Sequence, residues 1–261
     1  MKKILLFAAV SLLAFSSCKR DKELTQKKEK IFKGSVQTFQ DGKAWSWYEV
    51  DEAGNPLRIA IAIDDAAMNT LDTSAPGGTG HQHVNSISLK LHPKAEATPF
   101  SHILLDWAPK GHEPEVIYGK PHFDFHFYTS TEAERNAIPL YEQDSTKFLN
   151  YPAPAYLPPT YVPIPGGVPK MGSHWIDFTS PELNGAPFTQ TFIYGSYNGN
   201  VTFYEPMITE AFIKANPNFE RAIPQPAKHQ KAGWYPTKMR ISKENGITNV
   251  IIEGFVQRQA S

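Results

Sequence analysis

The stretch from Pro121 to Tyr128 reads PHFDFHFY, and it decides the fold class. Aromatic and polar side chains alternate along it: the first set is Phe123, Phe125 and Phe127, and the second is His122, Asp124 and His126. Successive side chains of a β-strand point to opposite faces. The pattern therefore predicts a strand that buries three phenylalanines on one face and carries a His–Asp–His set on the other.

The sequence on both sides of this strand predicts more strands. Short alternating segments are separated by turn signals, among which Asn198-Gly199 and Asn245-Gly246 favour tight hairpins. Aromatic residues make up 12% of the chain and there are 22 prolines, a composition that favours strands and ordered loops over helical bundles. We expect a mainly β fold over residues 31–261: a single domain that forms an antiparallel β-sandwich or a barrel-like sheet, with a few short helices.

One long segment fits neither a central strand nor a helix. Tyr151–Pro169 contains seven prolines in nineteen residues, and proline removes a backbone donor and blocks the helix interior. A disordered linker is one interpretation. The tyrosines and aliphatic residues within the segment favour the other, a long Pro-rich loop that packs over the domain.

Three short helices are expected between the strands. The first spans Asp64–Leu71 and the last spans Ile208–Ala215. The middle one follows the opening strand, with Thr129 or Ser130 as its N-cap and two glutamates in its first turn.

The N-terminal sequence predicts where in the cell the protein is located. Residues 1–17 have two lysines followed by a short apolar run, which is typical of a signal peptide. Small residues precede Cys18 as in a bacterial lipobox, so we expect Cys18 to become acylated and to anchor the chain in a lipid bilayer. The alternative is an ordinary secretory signal with a chance cysteine. Residues 18–30 are highly charged and predict a flexible tether. Lys19 after the cysteine favours the outer membrane, with the domain in the periplasm or at the cell surface.

Composition excludes two classes of site. The chain has as many acidic as basic residues, and loss of the signal peptide would leave a net charge of about −2, so no nucleic-acid partner is expected. Cys18 is the only cysteine, which excludes disulfides, a cysteine nucleophile and thiolate metal sites in the domain. Any metal must therefore be bound by His, Asp, Glu or water.

The His–Asp–His face is the first candidate for such a site. At about 3.3 Å per residue, His122 and His126 lie about 13 Å apart along a straight strand, whereas metal–nitrogen bonds measure ~2.0–2.1 Å. One strand can therefore supply only part of a coordination shell. The predicted ligands are His122, His126 and His174, with Asp124, Glu205 and His112 as alternative ligands or as groups that orient the ligands. Such a set suits a divalent transition metal: zinc, iron, manganese or copper.

The same residues allow other interpretations. A buried His–Asp pair can be a structural hydrogen bond. His81 and His83 form a second HxH pair beside a glycine-rich loop and are weaker candidates. If a bound metal were catalytic, it would activate a water molecule for hydrolysis or lyase chemistry, with a carboxylate as the base.

Three blocks of sequence carry a resemblance: LLDWAPKGHEPEVIYGKPHFDFHFY, MGSHWID and FIYGSYNGNVTFYEPMIT. Together they resemble an uncharacterised bacterial envelope family, whose type member is an extracytoplasmic protein controlled by a sigma-E/anti-sigma-E pair. The resemblance extends from about Lys33 to Arg258. It implies a mostly β domain, an envelope location and oligomeric assembly, and it carries over no catalytic residue.

Two functions follow as hypotheses. The first is a membrane-anchored envelope lipoprotein with a His/carboxylate metal-binding site. The second is a non-enzymatic envelope protein that binds a small-molecule ligand or assembles into a homo-oligomer, in which the histidines are structural. Whether the protein is an enzyme is left open by the sequence.

Overall fold

The computed structural model describes residues 29–74 and 85–261. These residues form fifteen strands, β1 to β15, in three antiparallel sheets. The first sheet has the order β1-β2-β3-β14-β13-β11. Its strands are β1 (Lys30–Phe39), β2 (Gly42–Val50), β3 (Pro56–Asp64), β11 (Asn218–Ala222), β13 (Lys238–Glu244) and β14 (Ile247–Glu253).

The second sheet has seven strands in the order β4-β5-β6-β10-β9-β8-β7. They are β4 (Ser86–Lys90), β5 (His102–Ala108), β6 (His122–Tyr128), β7 (Tyr161–Pro163), β8 (Ser173–Asp177), β9 (Gln190–Tyr197) and β10 (Asn200–Thr209). β12 (Gly233–Tyr235) and β15 (Val256–Arg258) pair as a small third sheet. β6 contains the HFDFHFY stretch and lies between β5 and β10, so it has a hydrogen-bonded neighbour on each side.

The two large sheets share one hydrophobic core. Ile59, Ile61 and Met239 of the first sheet belong to the same buried cluster as Phe123 and Phe125 of the second. Burying each such side chain contributes about 1.5–3 kcal/mol relative to leaving it exposed. Both sheets end in unpaired edge strands rather than closing, and the mainly β prediction is confirmed with the layout of a sandwich rather than a barrel.

The helices are short, as expected. They are α1 (Asp65–Asn69), α2 (Glu115–Tyr118), α3 (Glu132–Asn136), α4 (Ser145–Leu149) and α5 (Glu210–Ala215). Single 3₁₀ turns occur at Pro93–Ala97, Tyr141–Gln143, Pro154–Tyr156 and Pro181–Leu183.

Three helix starts differ from the prediction. α1 begins at Asp65 rather than Asp64, because the Asp64 side chain accepts a hydrogen bond from the Ala67 amide and caps the helix. The N-cap of α3 is Thr131 rather than Thr129 or Ser130, because Thr131 and Glu134 bond each other's backbone amides in a capping box. α5 begins at Glu210 rather than Ile208, because β10 continues through Thr209. The Thr209 hydroxyl then accepts a hydrogen bond from the Phe212 amide and caps the helix.

Both predicted hairpins form. Asn198 and Gly199 connect β9 to β10, and Asn245 and Gly246 connect β13 to β14, each with positive φ at both residues. This left-handed conformation is the one that Asn-Gly turns adopt most readily. The Asn198-Gly199 turn therefore helps to set the pairing of β9 with β10, and so the position of β10 beside β6.

The Pro-rich segment packs against the domain rather than forming a linker. Leu157 and Tyr161 are buried in the main core, and β7 within the segment lies at the edge of the second sheet. Proline is tolerated at such an edge because no further strand needs its missing amide.

Several predicted features lie outside the described residues. These are the signal peptide of residues 1–17, the acylated Cys18, most of the tether, and His81 and His83. Within residues 29–74 and 85–261, no helix is both long and apolar enough to span a bilayer.

Candidate metal centre

Both faces of β6 are buried, and all seven of its residues are inaccessible to solvent. The phenylalanines pack into the core between the sheets, as the sequence predicts. The His–Asp–His face is covered by a second apolar cluster, which includes Tyr118 of α2, Val168 and Met171 after β7, and Phe188 before β9. Polar groups in such an environment cost free energy unless they find partners. The polar face of β6 therefore requires a specific explanation.

The first group of polar side chains consists of His126, His174 and Glu205. Each offers one ligand atom, and the three atoms lie within 4.8 Å of one another. His126 Nε2 is 3.5 Å from Glu205 Oε1, and all three residues are buried. Two imidazoles and a carboxylate at this spacing could hold a metal ion with an open position for a further ligand.

Sheet register brings these three residues together. The pairing of β10 with β6 places Glu205 beside His126. His174 comes from β8, which is separated from β6 by β10 and β9, and it lies opposite Gly195 of β9. A side chain at Gly195 would collide with the ring of Phe203, which packs against both His126 and His174. The glycine thus leaves room for the aromatic ring that packs against both imidazoles.

Asp106 of β5 contacts the Nδ1 side of His126, away from Glu205. His126 Nδ1 is 3.0 Å from Asp106 Oδ2, and Ser86 donates a hydrogen bond to the other oxygen of that carboxylate. Metal-binding histidines usually donate their second ring N–H to a carboxylate or a carbonyl, which directs the remaining nitrogen to the metal. A proton on Nδ1, on the side of Asp106, would leave the Nε2 lone pair of His126 for an ion bound with Glu205 and His174.

Sequence reasoning did not identify Asp106. A signal for it exists, because Asp106 is the only charged residue in the buried run of β5, His102–Ala108, and lies opposite Asp124. An isolated carboxylate in a central apolar strand rarely stays buried without a partner. The identity of that partner depended on the pairing of β5 with β6.

The second group consists of His112, His122 and Asp124, whose ligand atoms also lie within 4.8 Å of one another. His122 Nε2 is 3.2 Å from Asp124 Oδ1, and His112 Nε2 is 3.6 Å from Asp124 Oδ2. His122 Nδ1 donates to the Lys120 carbonyl at 2.6 Å, and His112 Nδ1 donates to the Glu113 carbonyl at 2.9 Å. A carbonyl can only accept, so both Nε2 atoms face the carboxylate. This arrangement calls for a proton or a metal ion between them.

Burial acts in the same direction on the carboxylates of the two groups, but their neighbours shift the two pKa values in opposite directions. Burial alone would raise the pKa of Asp124, but the adjacent His122 and His112 outweigh it and hold that pKa well below its usual value. Burial raises the pKa of Glu205 well above its usual value, and the negative charges of Asp124 and Asp106 raise it further. Burial and the carboxylates of Glu182 and Glu205 also raise the pKa of Tyr118. The buried carboxylates of Asp106, Asp124 and Glu205 therefore create an electrostatic field that favours a cation.

A small cavity lies between the two groups. Its volume is about 10 Å³, and His112 and Tyr118 line it together with His126, His174 and Glu205. About 10–15 Å³ is the space of a single water molecule. The Tyr118 hydroxyl is buried here without a hydrogen-bond partner among the described residues. The cavity suits one ion or one water molecule, and it is too small for an organic substrate.

The predicted ligands are thus divided between the two groups. His126 and His174 lie together, but His122 belongs with His112 and Asp124. The physical reason is the extended strand, in which His122 and His126 are four residues apart and cannot share one ion. The three residues expected as alternatives, Asp124, Glu205 and His112, all belong to one group or the other.

Comparisons with known proteins give no independent guide. No protein-family model matches this chain, and neither a curated protein nor a solved structure matches it. The resemblance to the envelope family stays a prediction, and the function must be argued from the site itself.

Proposed function

We propose that the buried face of β6 binds a divalent transition metal through His126, His174 and Glu205. The observation that carries this proposal is the convergence of three buried ligand atoms within 4.8 Å of one another, beside a cavity the size of one ion. Two imidazoles and one carboxylate suit zinc, iron, manganese or copper. Asp106 supports His126 from the side opposite the ion.

The group formed by His112, His122 and Asp124 is a second metal position in this proposal. Its two imidazoles are oriented by backbone carbonyls, an arrangement common among histidines that bind metals. His112 also lines the small cavity beside the first group.

The proposed location is the cell envelope, with the chain anchored by acylated Cys18, most simply in the outer membrane. The lipobox-like sequence and the charged tether support this part of the proposal. The predicted resemblance to an envelope family agrees with it. On this view the protein is a metal-binding lipoprotein.

The competing function is a non-enzymatic envelope protein that binds a ligand or assembles with its own copies. On this view the imidazole–carboxylate pairs are buried structural hydrogen bonds, and the polar face of β6 fixes strand register. The cavity of about 10 Å³ favours a binding or structural role over catalysis, because no organic substrate fits beside the candidate ligands.

Elemental analysis of the purified protein distinguishes these functions. We expect up to two metal equivalents in the wild type, loss of one in His174→Ala, and loss of the other in His112→Ala. His229→Phe is the matched control, because His229 is a buried histidine outside both groups. If the wild type retains no metal after each of the four ions is supplied, the metal proposal is wrong and the structural function remains.

A further inference from the structure

A much larger cleft lies apart from both metal groups. Its volume is about 470 Å³, within the range of about 300–1,000 Å³ that small-molecule sites occupy. Three segments form its walls: residues 129–138, the β9–β10 hairpin with its flanks at residues 197–202, and the loop at residues 226–231. None of the six candidate metal ligands lines it.

Tyrosine rings supply much of the wall. Tyr156, Tyr197, Tyr204 and Tyr235 all line the cleft, together with aliphatic side chains such as Ile138 and Val201. Three of the four hydroxyls are already bonded within the protein. Tyr156 donates to the Ser261 carbonyl, Tyr197 to the Asp144 carboxylate and Tyr235 to the Lys231 carbonyl. The rings are thus held in place, and they suit a ligand with a flat or apolar body.

Two buried polar atoms in the lining have no partner among the described residues: His229 Nε2 and Ser130 Oγ. The His229 side chain is 7% exposed and stacks against Tyr235 with ring centroids 4.1 Å apart. A buried polar atom without a hydrogen bond costs roughly 1–3 kcal/mol. Both atoms are closed to solvent in this structure, so a ligand can bond to them, and remove this cost, once the side chains that cover them move.

The charges around the cleft favour an anion. Lys228 and Lys231 lie on the loop that forms one wall, and neither is in an ion pair within residues 29–74 and 85–261. Lys231 Nζ donates to the Thr129 carbonyl, which holds its charge at the cleft. The Glu134 carboxylate is occupied by the capping box of α3, and the Lys147 ammonium is paired with Asp144 at 2.6 Å.

We propose that this cleft binds a small organic anion that carries a ring. Lys228 and Lys231 attract its carboxylate or phosphate group, His229 and Ser130 hydrogen-bond to it, and the tyrosines contact the ring. This binding is independent of the metal centre, because the two sites share no lining residue.

The test uses the purified full chain in detergent after removal of metal with a chelator. Benzoate and phenyl phosphate are titrated as probes, benzyl alcohol serves as the neutral counterpart, and inorganic phosphate lacks the ring. Binding is followed by amide chemical-shift changes and by the ring protons of His229. We expect millimolar or tighter binding of at least one ring-bearing anion, with shifts confined to the cleft, and the order of benzoate and phenyl phosphate identifies the acid group.

Variants locate the site. Lys228→Gln combined with Lys231→Gln should weaken binding about tenfold or more, because both charges lie on the ligand side. Lys94→Gln, an exposed lysine outside the cleft, should leave it unchanged. Ala137→Trp at the exposed end of α3 should block the mouth and abolish binding, and His229→Phe should weaken it several-fold.

The proposal is overturned if neither anion shifts cleft resonances, or if benzyl alcohol binds as tightly and the double lysine variant binds like the wild type. The lysine positions are exposed, so their substitution tests the cleft even if His229→Phe or Ala137→Trp lowers stability.

Discussion

The two faces of β6 are both buried, yet they are buried for opposite reasons. Phe123, Phe125 and Phe127 lose contact with water and gain an apolar core, which drives folding. His122, Asp124 and His126 lose contact with water at a cost that only partners or an ion can offset. One strand therefore shows both how a sheet is stabilised and how a site is built. Burial of apolar residues explains the fold, whereas burial of polar residues requires partners or a bound ion.

The largest expected effect is on the aromatic face. Phe125→Ala should lower the free energy of unfolding by about 3–5 kcal/mol, because it leaves a cavity in the core between the sheets. Urea denaturation followed by tryptophan fluorescence measures the change. Phe178→Ala is the control, since Phe178 is half exposed and should cost much less. Similar losses at both positions would contradict the assignment of the core.

Metal removal should act through the polar face alone. At a free metal concentration one hundred times Kd, binding stabilises the folded state by about 2.7 kcal/mol. Chelation should therefore lower the melting temperatures of the wild type and of Phe125→Ala. The losses in free energy of unfolding should be comparable for the two proteins. Chelation should destabilise His174→Ala less, because that variant has lost one of the two positions, and it should leave His174→Ala combined with His112→Ala unchanged. A wild type that melts identically with and without chelator would argue for structural histidines.

A feature of this molecule can be predicted from the sequence when the residues that determine it are close together along the chain. The phenylalanine face and the Asn-Gly hairpins were predictable, because alternation and turn chemistry act over a few residues. The candidate ligands were also visible as residue types. Their grouping was not, because it depends on the register of β6 with β10 and on the position of β8.

Asp106 shows the same limit of local sequence patterns. Its place within a hydrophobic strand was readable, but its role required knowing that β5 lies beside β6. The cleft around His229 is a stronger case, since its walls come from three segments more than twenty residues apart in sequence. Sites of this kind arise from topology, and local patterns cannot indicate them.

Asp106→Asn tests the support behind His126. The amide retains the shape of the carboxylate but loses its charge, so metal affinity should fall about 10–100-fold while the fold persists. Competition with a fluorescent chelator measures the affinity, and circular dichroism checks the fold. Asp177→Asn is the matched control, because the Asp177 carboxylate lies at the end of β8 and accepts hydrogen bonds from the amide and hydroxyl of Thr179. Unchanged affinity in Asp106→Asn would place His126 outside the coordination shell.

The smallest effect concerns His229, a buried histidine outside both candidate metal groups. Burial lowers the pKa of His229 to about 4, and the Arg258 cation contributes to the shift. Below the unfolded-state pKa of about 6.5, the unfolded chain binds a proton that the folded chain does not, so this contribution to stability falls as pH drops from about 6.5 towards 4.

We expect the wild type to lose stability over that pH range relative to His229→Phe. The difference should stay below about 1.4 kcal/mol per pH unit, because the cleft beside His229 opens to water. Urea denaturation of both proteins at half-unit pH steps, with metal removed, measures it, and NMR titration of the His229 ring gives its pKa directly. A ring that titrates near 6.5 would show that His229 is solvated and would remove the contrast with the paired histidines of β6. A ring that titrates near 4 would show that a buried histidine outside both candidate metal groups stays neutral.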